Sequence, residues 1–521
     1  MKDHQAGEKA LLMQKRYFQG WRCSRRFVRC VAQCGFMVAL LMGAARPVCA
    51  ESNDSSFPQP DGLSDSVAFW KRVYAGWSQN EIVFHDQDDL SRIYRVIQVP
   101  AHGKRQNGKT RAQTIKIAKK EIQVALSRLQ RKRPSTDAEL SAVEKEIFNN
   151  LKEIDDPKKY KRFRSMRAQN GLRERFEEGY RYAGAFEAQV RTILEENGLP
   201  GSLVALAYVE SLMNPKATSR SGAVGVWQFM PETGKEYVHV NRMIDERKDP
   251  ILATEAAAKY INTALKNVGP WPVAITSYNV GRAGMRKVIR AMGTNDLGVI
   301  YKKYRRGFFG FAARNYYASF LAVHDVLKNV ESHLPGVEQN PAWSYHVVRA
   351  PADITVKNLV KKMSIDKNAL LTMNPSWGRN LQKSRTALPQ GLPIRIPQSM
   401  TKEELHDRLH SFGTNKRSQK RQDKTHRVRK GESLWTIARK HGLGTNQLAQ
   451  RNSLPSNSQI YVGQKLFIPS PRARYSLLPE VRDAGSADEE TSAGDQKRHA
   501  GEQSPAQQAS SQDSSPPETK P

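Results

Sequence analysis

One glutamate, Glu210, is the residue in this chain best placed for acid–base chemistry. It lies in Ala207-Tyr208-Val209-Glu210-Ser211, within a stretch from 202 to 213 where Leu203, Leu206, Val209, Glu210 and Met213 recur at helical spacing. Asn214-Pro215 stops that helix, because proline disfavours the helical region for the residue before it. A carboxyl on the last turn of an apolar helix is poorly solvated. Desolvation disfavours its charged form and lets it hold a proton near neutral pH, as a general acid must. A surface glutamate on an amphipathic helix is the commoner case, so the neighbours decide. Just downstream is a glycine-rich turn, Ser219-Arg-Ser-Gly222-Ala-Val-Gly225-Val-Trp-Gln228, whose Gly222 and Gly225 permit close backbone approach to a ligand. Ser277-Tyr278-Asn279 adds a phenol and an amide. Acid–base chemistry shared between two carboxyl groups would need a second acid nearby. The other nearby acids, Glu232, Asp245 and Glu246, read as surface or capping residues.

The elements that must position these groups are helical. From 171 to 330 the chain is a succession of amphipathic helices, broken at Gly198-Leu-Pro200, Asn214-Pro215, Asp249-Pro250 and Gly269-Pro270, with no long alternating strand pattern. Residues 51–170 form a lead-in: a helix start with extended segments, then a basic helical region with Ile115, Ile122, Leu126 and Leu129 as one stripe. Residues 345–397 and 425–469 form a degenerate internal repeat. Leu370 and Asn374 return as Leu448 and Asn452; Gly391 and Ile396-Pro397 return as Gly463 and Ile468-Pro469. Each copy reads strand, two short helices, strand. A basic linker (398–424) separates them, and 470–521, rich in Ser, Gln, Glu, Asp and Pro, is expected to be disordered.

The 521 residues suffice for about three domains. A net charge of +32 and a pI near 10.0 call for a polyanionic partner. Nucleic acid is one class, yet no nucleic-acid module is recognisable; a polyanionic cell envelope serves the charge equally well. Residues 1–50 read as an export signal: Arg22, Arg25, Arg26 and Arg29 precede an apolar run from 35 to 45 and the small-residue site Val48-Cys49-Ala50. An uncleaved anchor is the alternative. All four cysteines (Cys23, Cys30, Cys34, Cys49) fall in this segment. Its removal would leave no disulfide, thiolate zinc site or cysteine nucleophile. No metal or cofactor is expected.

Taken in order, Glu210-Ser211, Gly222-Ala-Val-Gly225-Val-Trp-Gln228-Phe-Met-Pro231 and Ser277-Tyr278-Asn279 resemble the catalytic domain of the soluble-type lytic murein transglycosylases, which share the goose-lysozyme fold. Asp245-Glu-Arg247, Asp249-Pro250, Ala256-Ala-Ala258, Trp271-Pro272 and Gly310-Phe-Ala-Ala-Arg-Asn-Tyr316 add to the resemblance. The second repeat, Val428-Arg-Lys-Gly431-Glu-Ser433-Leu434-Trp-Thr-Ile437-Ala438, resembles a LysM module. The first, with Ala350-Pro-Ala-Asp353 in place of Gly-Glu-Ser, is a divergent LysM-like unit. The resemblance implies a mainly α protein: a lysozyme-like helical catalytic domain, small βααβ modules and a disordered tail. It also explains the lone acid. One glutamate protonates the oxygen leaving N-acetylmuramic acid, then takes the proton of that sugar's 6-hydroxyl, which closes onto C1 to give a 1,6-anhydro end. The implied roles are Glu210 as acid then base, with Ser211 bonding near the acetamido group or the glutamate. Tyr278 donates to Glu210, Gln228 holds the N-acetyl group, and Asn279 and Gly225 border the sugar. In the second module Gly431, Ser433, Leu434, Leu454 and Ile460 are implied to contact N-acetylglucosamine. The implied partner is the peptidoglycan glycan strand, in the periplasm or envelope of a bacterium, with no nucleic acid. A hydrolytic muramidase on the same fold, a non-catalytic wall-binding scaffold and a basic nucleic-acid-binding protein, which the export signal counts against, are the rivals.

Overall fold

The computed structural model describes residues 57–468 except 132–138, 157–158, 161–164, 411, 413–423, 442, 444 and 456–458. The expected signal segment, its cysteines, most of the basic linker and the expected disordered tail lie outside the described residues.

Helix α1 (Ser64–Lys71) runs into a π-turn, Arg72–Gly76. Both bury aromatic and aliphatic side chains, Phe69, Trp70, Val73 and Tyr74, in the main core. Strands β1 (Glu81–Asp86) and β2 (Ile93–Gln98) then pair antiparallel. The pleat sends Val83 into the main core, while Ile82 and Phe84 face a second core. That second core is completed by Ile122, Leu126 and Leu129 of α2 (Arg111–Arg131) and by Ile147 and Leu151 of α3 (Ala142–Leu151). The predicted stripe of the basic region is therefore its packing face. A third strand, β3 (Met166–Asn170), pairs with β1, giving the order β2-β1-β3. It falls where a basic helical region merges into its end, and it forms because β1 offers a free edge.

The main core is helical: α4 (Arg173–Ala183), α5 (Glu187–Glu196), α6 (Ala205–Ser211), α7 (Pro231–Tyr237), α8 (Pro250–Val268), α9 (Trp271–Val280), α10 (Arg282–Met292), α11 (Leu297–Lys303) and α12 (Phe311–Lys328). Proline opens α7 and α8 at the first helical position, where its missing N–H costs nothing. Asp249 caps α8 by accepting from the backbone N–H groups of Ile251 and Leu252. Helix α12 is almost wholly buried and packs against α1, α6 and α9.

The helix that carries Glu210 departs from expectation. A 3-10 turn occupies Gly201–Val204, and α6 ends at Ser211. Leu212 and Met213 follow with φ of 52° and 55°. Left-handed backbone costs about 1 kcal/mol or more per non-glycine residue, so the packing must hold it. Met213 is fully buried. Gly179 of α4 makes room, since a Cβ there would lie 2.5 Å from the Leu212 carbonyl oxygen.

Two small modules follow. The first joins β4 (Tyr345–Arg349) to β5 (Pro393–Pro397) around α13 (Val356–Met363) and α14 (Lys367–Met373). After α15 (Lys402–His410), the second joins β6 (Lys424–Arg427) to β7 (Lys465–Ile468) around α16 (Leu434–Lys440) and α17 (Thr445–Arg451). Both share one anchor. The Asn374 amide donates to Leu370 O and Arg395 O, both at 2.8 Å, and accepts from Arg395 N at 3.0 Å. Asn452 does the same with Leu448 O, Phe467 O and Phe467 N. The chain is thus mainly α; the second repeat is a βααβ unit, and the first adds a short helical turn, Arg379–Gln382, before its closing strand. Among the described residues no helix is long and apolar enough to cross a membrane.

Candidate active site

Glu210 leaves the last turn of α6 partly buried, against the largely apolar interior of the helical core. Burial is the first cause acting on its carboxyl and raises the pKa to about 7; a hydrogen bond from the Tyr316 hydroxyl, the second cause, pulls the other way. No acidic neighbour enters among the described groups that shift it. Glu210 is thus protonated below about pH 7, and its anion has a donor already in place.

The glycine-rich turn is drawn beside this carboxyl by side chains from three elements. The Ser211 hydroxyl donates to Val226 O at 2.8 Å. The Tyr278 hydroxyl, from α9, donates to Trp227 O at 2.8 Å. Arg247, paired with Asp245 at 2.8 Å, donates to Gly222 O and Phe229 O, both at 3.0 Å. Trp227 is fully buried, and its indole N–H donates to Thr254 Oγ1 at 2.8 Å, so it is core.

These contacts revise several expected roles. Tyr278 does not donate to Glu210; its hydroxyl is turned to the backbone of the loop, and Tyr316 of α12 is the donor. Ser211 likewise holds the loop. Gln228 sits at φ 47° with its amide donating to Gly225 O at 2.8 Å and Ala217 O at 3.3 Å, which stabilises the turn itself. Gly225, at φ 82°, is approached not by open space but by Arg247 O, 1.7 Å from where a Cβ would stand. Asn279 is exposed at the end of α9. Sequence reasoning also missed an aromatic wall continuing from Tyr278. Tyr260 meets it edge-on at 5.3 Å, Phe229 and Tyr237 stack at 6.4 Å, and the Arg282 guanidinium lies 4.7 Å over Tyr260. Phe229 and Tyr260 are buried, so this cluster packs the core behind Tyr278.

Gly225→Ala follows from this geometry. It should lower stability by about 3 kcal/mol or more, because left-handed strain and a backbone clash coincide. Thermal unfolding checks this; an unchanged midpoint would mean that the loop lies away from Arg247.

In the second module, Gly431 (φ 84°) and Ser433 are exposed in the first turn, and Ser433 Oγ caps α16 by accepting from Thr436 N at 3.2 Å. Leu434 is buried in the module core, with Leu454 and Ile460 packed against it. Among the module's described residues the exposed large apolar side chains are Trp435, Tyr461, Val462 and Phe467. Among the described residues no group of three or more His, Cys, Asp or Glu could hold a metal ion.

The helical core from 191 to 298, which contains Glu210, the glycine-rich turn and Tyr278, matches the model of the Transglycosylase SLT domain. The chain carries a transglycosylase SLT domain. A LysM domain matches 426–469. The chain is homologous to membrane-bound lytic murein transglycosylase D of Escherichia coli (strain K12), 27% identical over 287 residues, covering 53% of this chain and 61% of that protein. It thus spans about three-fifths of the length of that relative. Membrane-bound lytic murein transglycosylase F of Shewanella sediminis (strain HAW-EB3) is 32% identical over 135 residues, 22% of this chain and 27% of that one. An inactive mutant of lytic transglycosylase Slt from Pseudomonas aeruginosa overlaps at a TM-score of 0.24 and 17% identity, over 44% of this chain and 34% of that chain; nothing further rests on that overlap.

Proposed function

We propose that this protein is a peptidoglycan lytic transglycosylase of a bacterial envelope, cutting the MurNAc–GlcNAc β-1,4 bond without water and leaving 1,6-anhydro-MurNAc ends. One observation carries the reading: in the SLT domain the Glu210 carboxyl, raised to about 7, accepts from a phenol with no acidic companion acting on it, whereas Glu246, raised by burial to about 8, is taken up by the backbone N–H of His239 at 2.6 Å. Glu210 gives its proton to the leaving oxygen. The resulting carboxylate, held by Tyr316, receives the 6-hydroxyl proton as that oxygen closes on C1. The pKa near working pH serves both steps, since the group must be a fair acid and then a fair base. The oxocarbenium-like centre between them is met by the substrate's own acetamido oxygen. No cofactor is required.

The LysM domain tethers the enzyme to glycan strands and raises the local substrate concentration. Export to the periplasm, with peripheral attachment to the envelope, agrees with the basic leader and the polyanionic substrate. The homologues' names, which place them at a membrane and on murein, support this setting. Mass spectrometry of digested peptidoglycan tests the reading. Muropeptides one water lighter than hydrolysis products are expected, whereas hydrated reducing ends would make the protein a muramidase.

A further inference from the structure

The first repeat module grips the catalytic core with a face that the second module leaves open. The segment 242–249, between α7 and α8, enters it. Ile244 bridges to Trp377, Asp245 N donates to Ser376 O at 2.8 Å, and Gly378 N donates to Met243 O at 2.7 Å. Ile244 is counted in the module's own hydrophobic core, beside Trp377, and both are at most 2% exposed. Gly378 admits no side chain, because a Cβ would stand 2.5 Å from Arg242 O. One strand away, Arg395 of β5 makes a buried ion pair with Asp249, the cap of α8, and also donates to Met373 O at 3.1 Å. Tyr345 of β4 adds a bond to Gln189 of α5 at 2.9 Å.

The shared asparagine anchor sets the equivalence between the repeats. Three residues beyond Asn374 and Asn452, Trp377 corresponds to Pro455; through the backbone that each asparagine holds, Arg395 corresponds to Phe467. Pro455 and Phe467 are both exposed. What is solvent-facing in one copy is therefore an internal interface in the other. The gripped segment also serves the active site. Its Arg247 holds Gly222 O and Phe229 O, and its Arg247 carbonyl abuts Gly225.

We infer that the first module is a brace and not a glycan-binding module: through Trp377, Gly378 and Arg395 it fixes residues 242–249, and through them the Gly222–Phe229 turn beside Glu210. Arg395 is thus a positioning residue for the reaction, and glycan capture is left to the second module. The inference rests on the transglycosylase reading for what the site does, but its test reads turnover whatever the product.

The test compares full-length wild type with Arg395→Met and Arg395→Lys. Turnover and KM are measured on soluble peptidoglycan fragments, and binding by co-sedimentation with insoluble cell wall. A buried pair broken on one side leaves Asp249 uncompensated, so the loop should shift. Arg395→Met is expected to lose roughly tenfold or more in kcat with KM and wall binding unchanged; Arg395→Lys, which keeps the charge, should recover much of the loss. Asp249→Asn, which keeps the cap, reads the same pair where Arg395→Met does not fold. Unchanged kcat in the folded variant, or a loss confined to wall binding, would overturn the brace. Hydrated ends from wild type would instead overturn the transglycosylase reading, and the kcat comparison would still decide the brace.

Discussion

Glu210→Gln should cut turnover on peptidoglycan by on the order of 10³-fold or more, because one group performs both proton transfers. It should also make the protein more stable in alkali. The folded-state pKa of Glu210, about 7, lies above its ordinary value of 4.5. Below about pH 4.5 the carboxyl is protonated folded or unfolded, and wild type and variant should be alike. Between about 4.5 and 7 the unfolded chain releases the proton first, so wild-type stability falls as pH rises. Above 7 the full penalty is present. Allowing for solvent that reaches a partly exposed group, it amounts to about 2 kcal/mol. Denaturant unfolding at pH 4 and pH 8 should show a gap in favour of the variant that opens only at the higher pH. A gap of equal size at both would place the carboxyl in water and remove the general acid.

Tyr316→Phe should lower turnover by about 10- to 100-fold and move its pH dependence. The phenol donates to the carboxylate and holds its pKa down against burial. Without it the proton is held more tightly, so the alkaline limb of kcat/KM moves up from about 7 while giving the proton to the leaving oxygen becomes harder. The wild-type profile itself carries information. A pair of catalytic carboxyl groups gives two limbs. A single group that must only start protonated gives one limb, falling through about 7. Tyr278→Phe is the control: its hydroxyl bonds Trp227 O, so the limb should stay in place even if turnover drops. A limb that moves with Tyr278 and not with Tyr316 would restore the role first expected of Tyr278.

Much of this site could be read in the chain, and what could not has physical causes. Glu210 was legible because an apolar helix with a carboxyl on its last turn is a local pattern. Its partner was not, since 106 residues separate Tyr316 from Glu210. Helix α12 is buried on nearly every side, so no polar face sets Tyr316 apart from Tyr317 or Phe320. Tyr278 lies in a recognisable motif, yet which acceptor a phenol chooses is decided by tertiary geometry. The left-handed Leu212, Met213 and Gln228 carry no glycine to announce them. Strand β3, Met-Arg-Ala-Gln-Asn, has few strand-forming residues and depends on the edge of β1. Arg395, flanked by the buried Ile394 and Ile396, reads as the outward residue of an alternating strand, which it is. That its outward face meets Asp249 could be known only from the fold.

The claim beneath all of this is that the bond is broken with the sugar's own hydroxyl and not with water. Digestion in heavy-oxygen water measures that most directly. The account predicts anhydro ends that carry no label from solvent, at the full rate of strand cleavage. Label appearing in new reducing ends in step with cleavage would contradict it.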